Sequence, residues 1–334
     1  MSLQGHISTA QLGFRPAREP IRLRQLLRLL TLLIAAASLG WWWHTPHGPW
    51  LMHKEPLAGQ RLCVIGDGGW GNAPSLAVGQ ALVKLNCDQI RYLGDLVYPD
   101  GITGPEDPLL ESRFFAPLGP ALDAGIPVYL VLGNHDWKQN AEAWLEVARQ
   151  HPLIHFPHYY YFEQWPDACA FSLETTWFEK WYYLRRQGAW LTQAMETAQD
   201  RQCGFSMAFS HHPMISSGSH GNAGEMIQLH LNSKLIGRLD LLLGGHDHIL
   251  SDEGEYQGTR QLISGSASIN NDLGPPSDNQ RFTRATHGLV TLDIHDDGNS
   301  LRANYRFYSV LGDPDDPLIT LLWEGEKRGQ GIRG

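Results

Sequence analysis

The sequence predicts an α/β fold with mixed sheets, and two observations carry that prediction. In residues 61–243, short apolar runs typical of buried strands alternate with helical segments, an order typical of parallel strands joined by helices. In residues 260–308, apolar and polar residues alternate as they do in antiparallel strands, and residues 296–299 form a strong hairpin-turn signal. We therefore expect parallel pairing in the first half and antiparallel pairing in the second.

Each element has its own local signal. Apolar runs predict strands at 62–65, 89–93, 127–132, 171–173, 205–209 and 239–243. Helical spacing predicts helices at 74–85, 140–149 and 187–198, the first with Pro74 in its opening turn, where a helix tolerates proline. Alternation predicts strands at 260–264, 288–294 and 301–308, and the long polar stretch 268–284 predicts a loop.

Composition sets the domain boundaries. The 334 residues, with a hydrophobic fraction of 42%, are enough for one large core or two small ones. We predict a basic N-terminal tail over 1–25, a membrane anchor or signal segment over 26–43 and a linker over 44–60. One folded domain over 61–310 and a flexible C-terminal tail over 311–334 follow. The tail prediction rests on glycine, proline and charged residues near the C-terminus.

The N-terminal segment leaves several interpretations open. An apolar run at 29–43 follows five arginines and one glutamate. Three alanines at 35–37 fit a signal-peptide cleavage site, whereas three tryptophans at 41–43 fit the aromatic belt of an uncleaved anchor. An ordinary buried helix is the third interpretation. Either of the first two exports the domain, which becomes periplasmic or extracytoplasmic, and an uncleaved segment tethers it to the inner membrane.

Net charge limits the classes of partner. The formal charge is -9, and the N-terminal segment is basic, so the acidic charge is concentrated in the body. Nucleic-acid binding depends on phosphate neutralisation by Lys and Arg, so a nucleic-acid partner is not expected. A small anionic ligand would have to be attracted by bound metal rather than by a basic surface.

The four cysteines fit an exported protein. Cys169 and Cys203 each lie two residues before an apolar run, so the two thiols can meet if those runs form neighbouring parallel strands. A disulfide between them is a hypothesis. Cys63 lies in the middle of a predicted strand and is interpreted as a small buried apolar residue.

Five short motifs place oxygen or imidazole donors directly after predicted strands. They are GDGG at 66–69, GDLVY at 94–98, GNHD at 133–136, HHP at 211–213 and GHDH at 245–248. Donors at neighbouring strand ends can converge on one point, and this mixture of carboxylate, amide, imidazole and phenol suits a pair of hard to borderline metals. The candidate ligands are Asp67, Asp95, Tyr98, Asn134, His211, His246 and His248.

Taken singly, each motif has a simpler explanation. A Gly-Asp pair after a strand is usually a turn, a lone tyrosine is usually core packing, and paired histidines can be structural. His212 is adjacent to His211 and is expected to point elsewhere, so it is not counted as a ligand.

In this order the motifs resemble those of the calcineurin-like metallophosphoesterases, and the spacing from Asp95 to Tyr98 resembles the purple acid phosphatases of the small, tartrate-resistant type. The resemblance covers roughly residues 61–308. Serine/threonine phosphatases fit less well, because they carry a histidine where Gly69 stands here and an arginine soon after the second aspartate. One departure is that the family usually has a bulky aromatic residue directly after the first aspartate, whereas this chain has Gly68, with Trp70 two residues later.

The resemblance implies a four-layer α/β/β/α sandwich and an acid phosphatase that hydrolyses phosphate monoesters, with metal-bound hydroxide as nucleophile. It implies Fe(III) held by Asp67, Asp95, Tyr98 and His248, and a second divalent metal (Fe, Zn or Mn) held by Asp95, Asn134, His211 and His246, with Asp95 bridging. The expected partner is a small phosphate ester, with the membrane as a second partner if residues 26–43 are uncleaved.

Three further residues are candidates for catalysis. His135 is expected to contact the phosphate or protonate the leaving group, with the Asp136 carboxylate orienting its imidazole. His220, in the Gly- and Ser-rich loop 216–224, corresponds to a second substrate histidine of the family, although a solvent-exposed loop histidine is the alternative. Other functions left open are a phosphodiesterase or nucleotide pyrophosphatase on the same metals, a non-catalytic binding protein and a redox protein.

Overall fold

The computed structural model describes Arg28, Thr31, residues 49–176 and residues 181–333. The predicted basic tail, the anchor or signal segment and the first part of the linker therefore lie outside the described residues, apart from Arg28 and Thr31. Within the described part of the chain, no helix is both long enough and apolar enough to cross a membrane.

Fifteen strands and six helices make up the described body. The strands are β1 Trp50–Met52, β2 Arg61–Ile65, β3 Gln89–Leu93, β4 Val128–Val131, β5 Ile154–His155, β6 Tyr161–Gln164, β7 Ala168–Ser172, β8 Phe205–Phe209, β9 Leu241–Gly244, β10 Leu250–Tyr256, β11 Thr259–Ser264, β12 Phe282–Arg284, β13 Gly288–Asp296, β14 Leu301–Gly312 and β15 Pro317–Arg328. The helices are α1 Ala73–Lys84, α2 Pro108–Leu110, α3 Ala116–Asp123, α4 Ala143–Gln150, α5 Trp181–Asp200 and α6 Glu225–Lys234, with a π-helical turn Glu111–Phe115 between α2 and α3.

The strands form two mixed sheets. One has the order β1-β6-β7-β8-β9-β11-β10-β12, and the other β15-β14-β13-β2-β3-β4-β5. In the first, β7, β8 and β9 are parallel neighbours. In the second, β2, β3, β4 and β5 are parallel, and β13, β14 and β15 continue the sheet antiparallel. The predicted division between parallel and antiparallel pairing holds for these strands, with two exceptions: β6 pairs with β7 antiparallel, and β11 pairs with β9 parallel.

Helices cover the outer face of each sheet. Side chains alternate along a strand, so β2 directs Leu62 and Val64 into the core between the sheets and Cys63 and Ile65 toward α1. Residues from α5 and α6 pack on the opposite face of the eight-stranded sheet. The layers therefore run helix, sheet, sheet, helix, and the predicted four-layer sandwich is confirmed.

Three predicted connecting regions contain strands. The predicted loop 268–284 ends in β12, which pairs with β10, so the loop prediction is wrong over Phe282–Arg284. β1 lies within the predicted linker and pairs with β6 in parallel register. β15 lies within the predicted flexible tail, and it pairs with β14 along its length, from Gly312 opposite Pro317 to Arg302 opposite Arg328. The flexible-tail prediction is therefore wrong over Pro317–Arg328. The apolar run of this strand, flanked by Pro, Gly and charged residues, completes the sheet edge.

All four cysteines are paired. Cys169, in β7, forms the hypothesised disulfide with Cys203, with Cα atoms 5.7 Å apart. Cys63 is buried, as interpreted from the sequence, but it also forms a second disulfide with Cys87, which the sequence analysis did not predict. The pairing arises because Cys87 precedes β3, which is the parallel neighbour of β2. Disulfides persist in oxidising compartments, so the two bridges indicate an extracytoplasmic protein.

Candidate metal centre

The predicted donors meet where strands from both sheets end. Asp67, Asp95 and Asn134 follow β2, β3 and β4 of the seven-stranded sheet, while His211 and His246 follow β8 and β9 of the eight-stranded sheet. Parallel strands deliver their carboxyl ends to one edge, which explains why residues 179 positions apart, such as Asp67 and His246, form a hydrogen bond. The sequence-predicted ligands are therefore brought together in space.

The first donor group consists of Asp67, Tyr98 and His248. The Tyr98 hydroxyl donates to Asp67 Oδ1 at 3.1 Å and lies 3.2 Å from His248 Nε2. His248 Nε2 lies 3.4 Å from the same carboxylate oxygen. Asp67 and Tyr98 are buried, with 0% and 3% of their surface exposed, so these groups face one another rather than bulk solvent.

The second donor group consists of Asn134, His211 and His246. Asn134 Oδ1 lies 2.9 Å from His211 Nε2 and 3.1 Å from His246 Nδ1, and these two nitrogens are 3.2 Å apart. Asp95 stands beside this group, with Oδ1 3.7 Å from His211 Nε2. Asp95, Asp67 and His211 also each place a donor atom within 4.8 Å of the others.

The hydrogen bonding of His211 tests whether this group fits a cation. His211 Nδ1 lies 2.8 Å from the carbonyl oxygen of Leu93, which can only accept, so Nδ1 carries the proton and Nε2 presents a lone pair. That lone pair faces the Asn134 oxygen and the Asp95 carboxylate. Several atoms that carry lone pairs thus converge on one point without a proton between them. A cation at that point would bind all of them, so this set of ligand atoms fits a metal.

The pKa shifts of Tyr98 and His246 also fit a bound cation at this site. Burial, together with the charges of Asp67 and Asp95, raises the pKa of Tyr98 well above its usual value. A phenolate at this position therefore needs a positive charge beside it. Burial and the neighbouring histidines lower the pKa of His246. The neutral imidazole that results is the form that binds metals.

His248 behaves differently from His246. Burial on its own would lower the pKa of His248, but the hydrogen bond and the charge of Asp67 outweigh burial and raise it. The Asp67 carboxylate therefore favours a positive charge at His248, and a cation placed between the two groups would supply that charge.

Three of the donor residues have strained backbones. Asp67, Asp95 and His246 have φ angles of 58°, 54° and 65°, in the left-handed region that residues other than glycine rarely adopt. Such strain persists only where the surrounding structure imposes it, and it clusters at functional sites. Here it turns each side chain from its strand end into the shared centre.

His135 lies at the partly exposed edge of the centre. Its backbone N–H donates to Asp95 Oδ1 at 2.9 Å, and its Nε2 is 4.0 Å from Asp95 Oδ2. Nδ1 lies 2.5 Å from the carbonyl oxygen of Pro99 and 2.9 Å from Lys138 Nζ. Lys138, which also lies 3.5 Å from Asp100 Oδ1, is a neighbour of the centre that the motifs did not indicate.

Asp136 does not hold His135 as expected. Its carboxylate accepts the backbone N–H of Leu96 at 3.0 Å and of Gly133 at 2.8 Å, and it is fully buried. Burial and the nearby Asp95 raise its pKa well above the usual value. Asp136 therefore ties the Asp95 turn to the Asn134 turn, and the predicted carboxylate–imidazole pair with His135 is wrong.

His220 reaches the same centre from its loop. Its ring lies 4.9 Å from the His246 ring and 5.2 Å from the His248 ring, although its side chain remains 40% exposed. His220 Nδ1 lies 3.3 Å from Asp247 Oδ1. Burial alone would raise the pKa of Asp247, but hydrogen bonds from His220 and Ser216 outweigh it and lower the pKa.

His212 differs from the expectation that it points elsewhere. Its ring lies 4.4 Å from the His246 ring, and a ring nitrogen lies within 4.8 Å of donor nitrogens of His211 and His246. Thr175 Oγ1 holds the ring at Nδ1 at 2.9 Å. Burial, with the charges of His211 and His220, lowers the pKa of His212 well below its usual value. The adjacent pair His211-His212 was the available sequence signal.

The comparisons with known proteins agree with this geometry. Residues 60–250 match the family model of the calcineurin-like phosphoesterases. Among curated proteins, purple acid phosphatase 17 of Arabidopsis thaliana is 26% identical over 75% of this chain and 81% of its own length. Tartrate-resistant acid phosphatase type 5 of Sus scrofa is 22% identical over 63% of this chain and 70% of its own.

Two solved structures share the fold. GAP50, described as the anchor in the inner membrane complex of Plasmodium, aligns with a TM-score of 0.63 at 16% identity, covering 82% of this chain and 89% of that one. A dimetal phosphatase from Danio rerio aligns with a TM-score of 0.51 at 13% identity, covering 79% of this chain and 99% of that one. With more than half of its length matched by the family model and its donors gathered at the strand ends, the chain belongs to the calcineurin-like phosphoesterase family.

Proposed function

We propose that the protein hydrolyses phosphate monoesters at a dinuclear metal site. One metal, Fe(III), would be held by Asp67, Asp95, Tyr98 and His248, and a divalent Fe, Zn or Mn by Asp95, Asn134, His211 and His246. The observation that carries the proposal is the separation of the donors into a phenol-containing group and an imidazole–amide group on either side of Asp95. When bound, such a metal pair supplies a nucleophilic hydroxide in acid solution and neutralises charge on the phosphoryl oxygens.

The chain's own residues have separate tasks in this proposal. His135 is partly exposed beside Asp95, so it can donate a proton to the leaving oxygen as the bond from phosphorus to that oxygen breaks. Lys138, 2.9 Å from His135 Nδ1, places positive charge at the rim of an acidic protein, where it favours the approach of an anionic ester. Asp136 holds the Asp95 and Asn134 turns in register.

The test combines a visible spectrum, metal analysis and substrate comparison on the full chain. We expect a purple tyrosinate–iron(III) absorption that disappears in Tyr98→Phe, two metals per chain, and faster turnover of p-nitrophenyl phosphate than of bis(p-nitrophenyl) phosphate. A colourless, two-metal protein that prefers the diester would make the phosphodiesterase or nucleotide pyrophosphatase alternative correct. Metal binding without turnover of either ester would make the protein a non-catalytic binding module; the fold relative GAP50 is itself described as an anchor.

The proposed location follows from the disulfides and the N-terminal sequence. Export is supported by the two bridges. We propose that residues 26–43 tether the domain to the inner membrane, with residues 1–25 on the cytoplasmic side. N-terminal sequencing of the mature protein tests this, because a mature chain that begins after residue 37 would lack the anchor.

A further inference from the structure

Two buried carboxylates that the proposed metal ligation does not use hold the loop that carries His220. Asp247 lies between His246 and His248 and is fully buried. Glu253, in β10, is also fully buried. A buried carboxylate is costly unless its oxygens accept hydrogen bonds, so the partners of these two groups indicate what they stabilise.

Asp247 bonds almost entirely to the His220 loop. Its Oδ1 lies 3.3 Å from both the backbone N–H and the Nδ1 of His220, and its Oδ2 accepts from Ser216 Oγ at 2.5 Å. Because a carboxylate can only accept, the contact places a proton on His220 Nδ1 and leaves Nε2 as the outward nitrogen. The ring that carries this nitrogen stands beside His246 and His248.

The loop wraps closely around this carboxylate. A Cβ added at Gly218 would overlap with the Asp247 side chain, so a residue with a side chain at this position would push the loop away. The Gly218 N–H also donates to Ser216 Oγ at 3.0 Å, which in turn donates to Asp247. The loop is therefore shaped around Asp247 rather than merely lying near it.

Glu253 fastens the same loop from its other side. Its Oε1 accepts the N–H and Oγ of Ser217 and the Oγ of Ser251, all at 2.8 Å, while its Oε2 accepts Ser277 Oγ at 2.5 Å. Ser277 belongs to the predicted polar loop 268–284, whose Asn271 N–H donates to the His248 carbonyl at 3.1 Å. Two loops beside the metal centre are thus joined through one carboxylate.

We propose that Asp247 is a positioning residue that fixes His220 with Nε2 facing the metal pair, and that Glu253 holds the loop in the conformation this requires. When the ring is doubly protonated, His220 donates an Nε2–H hydrogen bond to the leaving-group oxygen, to which His135 delivers the one proton as the bond from phosphorus to that oxygen breaks. The ring keeps its Nδ1 proton against Asp247. The activity part of this proposal rests on the proposed phosphatase function, whereas the orientation of His220 does not.

Kinetics of a double-mutant cycle test the activity part. We expect Asp247→Asn to lower kcat on glycerol 2-phosphate about 10–100-fold with metal content unchanged, by analogy with the loss when an outer-shell partner of a metal ligand is removed. His220→Ala should lower it more, and the double variant should be no slower than His220→Ala alone. The losses should shrink on p-nitrophenyl phosphate, whose leaving oxygen needs little protonation. The proposal would be overturned if the double variant lost activity by the product of the two single losses. Equal losses on glycerol 2-phosphate and p-nitrophenyl phosphate would also overturn it.

A matched control separates positioning from simple destabilisation. Asp240 is the matched control, because it lies directly before β9 whereas Asp247 lies after it. Asp240 is also fully buried, and it accepts hydrogen bonds from the backbone N–H groups of Ser206 and Gln330. Asp240→Asn should lower the thermal midpoint but leave kcat on glycerol 2-phosphate within about twofold. If Asp247→Asn does not fold, Ser216→Ala removes one bond that orients the carboxylate, and it should lower kcat severalfold without changing KM. An unchanged kcat there would overturn the proposal.

The tautomer of His220 tests the orientation without any activity. In metal-free protein with ¹⁵N-labelled histidine, long-range proton–nitrogen NMR should show His220 protonated on Nδ1, and Asp247→Asn should shift the proton toward Nε2. A wild-type His220 protonated only on Nε2 would overturn the proposal even in an active enzyme. An Nδ1 proton in a wild-type protein that binds metals but hydrolyses nothing would refute the phosphatase function and leave the positioning intact.

Discussion

The substitution Arg91→Met tests a buried ion pair between the two sheets. Arg91 lies in β3 and Glu163 in β6, and their side chains are 1% and 0% exposed. Both terminal nitrogens of Arg91 contact the Glu163 carboxylate. The Arg91 guanidinium carbon also lies 4.1 Å from the ring centre of Tyr129 and 4.9 Å from that of Phe209. Methionine would fill much of this volume but leave Glu163 without its cation.

The expected cost follows from the burial of both groups. Removing one partner of a buried ion pair leaves an uncompensated charge and costs about 3–5 kcal/mol, whereas replacing both partners with apolar residues is often neutral or stabilising. The double variant Arg91→Met/Glu163→Leu should therefore recover most of the loss. Arg149→Met is the matched surface control, because Arg149 is 71% exposed in its pair with Glu146 and such pairs contribute under about 1 kcal/mol.

The pH dependence of the free energy of unfolding should have opposite signs in the wild type and the variant. Burial alone would raise the pKa of Glu163, but Arg91 and His53 outweigh burial and lower it. The wild-type contribution is therefore complete above the unfolded glutamate pKa of about 4.3 and is lost as pH falls through the folded value. Without Arg91, only the contact with His53, whose Nε2 lies 3.0 Å from Glu163 Oε1, opposes burial. Burial then raises the folded pKa of Glu163, so the variant should gain stability as acidification protonates this carboxylate.

Urea unfolding followed by tryptophan fluorescence at pH 7 and pH 5 measures both effects. The wild type should change little between these pH values, whereas Arg91→Met should be closer to wild type at pH 5 than at pH 7. A cost below about 1 kcal/mol at pH 7 would refute the reasoning. So would an identical pH slope in the two proteins, because it would show that Glu163 is not an isolated buried charge in the variant.

Three further predictions concern the centre and the disulfides. Asp95→Asn should lose metal and nearly all activity, and full activity with intact metal content would contradict the bridging assignment. His135→Ala should keep its metals but lose about 10²–10⁴-fold in kcat on an alkyl phosphate, the usual range for a general acid or base. Cys169→Ser/Cys203→Ser should cost about 4 kcal/mol, the loop-entropy value for 34 residues, as measured by urea unfolding with the Cys63–Cys87 bridge intact; a cost near zero would contradict it.

The central strands were predictable because burial on both faces produces a continuous apolar run. The predicted bounds 89–93 and 205–209 coincide with β3 and β8. At the edges the signal weakens, because an edge strand is half exposed and tolerates polar residues. In β15, Leu318 is 67% exposed and Leu321 is 47% exposed, so no clean alternation marks the strand. Its partner β14 supplies the pairing that its own pattern does not encode.

The site was predictable as a set of residues but not as a set of contacts. Motifs after consecutive strands identify which residues converge, because strand direction decides where each strand ends. They do not identify where neighbouring side chains point once the chain leaves the strand. Asp136 follows His135 directly, yet it accepts from Leu96 and Gly133, while the carboxylate that contacts a candidate catalytic histidine is Asp247. Left-handed turns at Asp67 and His246 redirect the backbone in ways that alternation cannot anticipate.

The departure at Gly68 shows how the structure accommodates a change in the motif. A Cβ at Gly68 would overlap with the hydroxyl of Tyr92, a buried residue of β3 whose ring fills the space beside the first turn. Trp70 instead stacks on Tyr98, with ring centres 5.2 Å apart and planes 13° apart. The aromatic ring that covers Tyr98 therefore comes from Trp70, two residues after Gly68, rather than from the residue directly after Asp67. The residues at 68 and 92 therefore constrain each other, because a large residue at 68 requires a smaller one at 92. The motif around Asp67 does not reveal this constraint, since Tyr92 lies in the neighbouring strand.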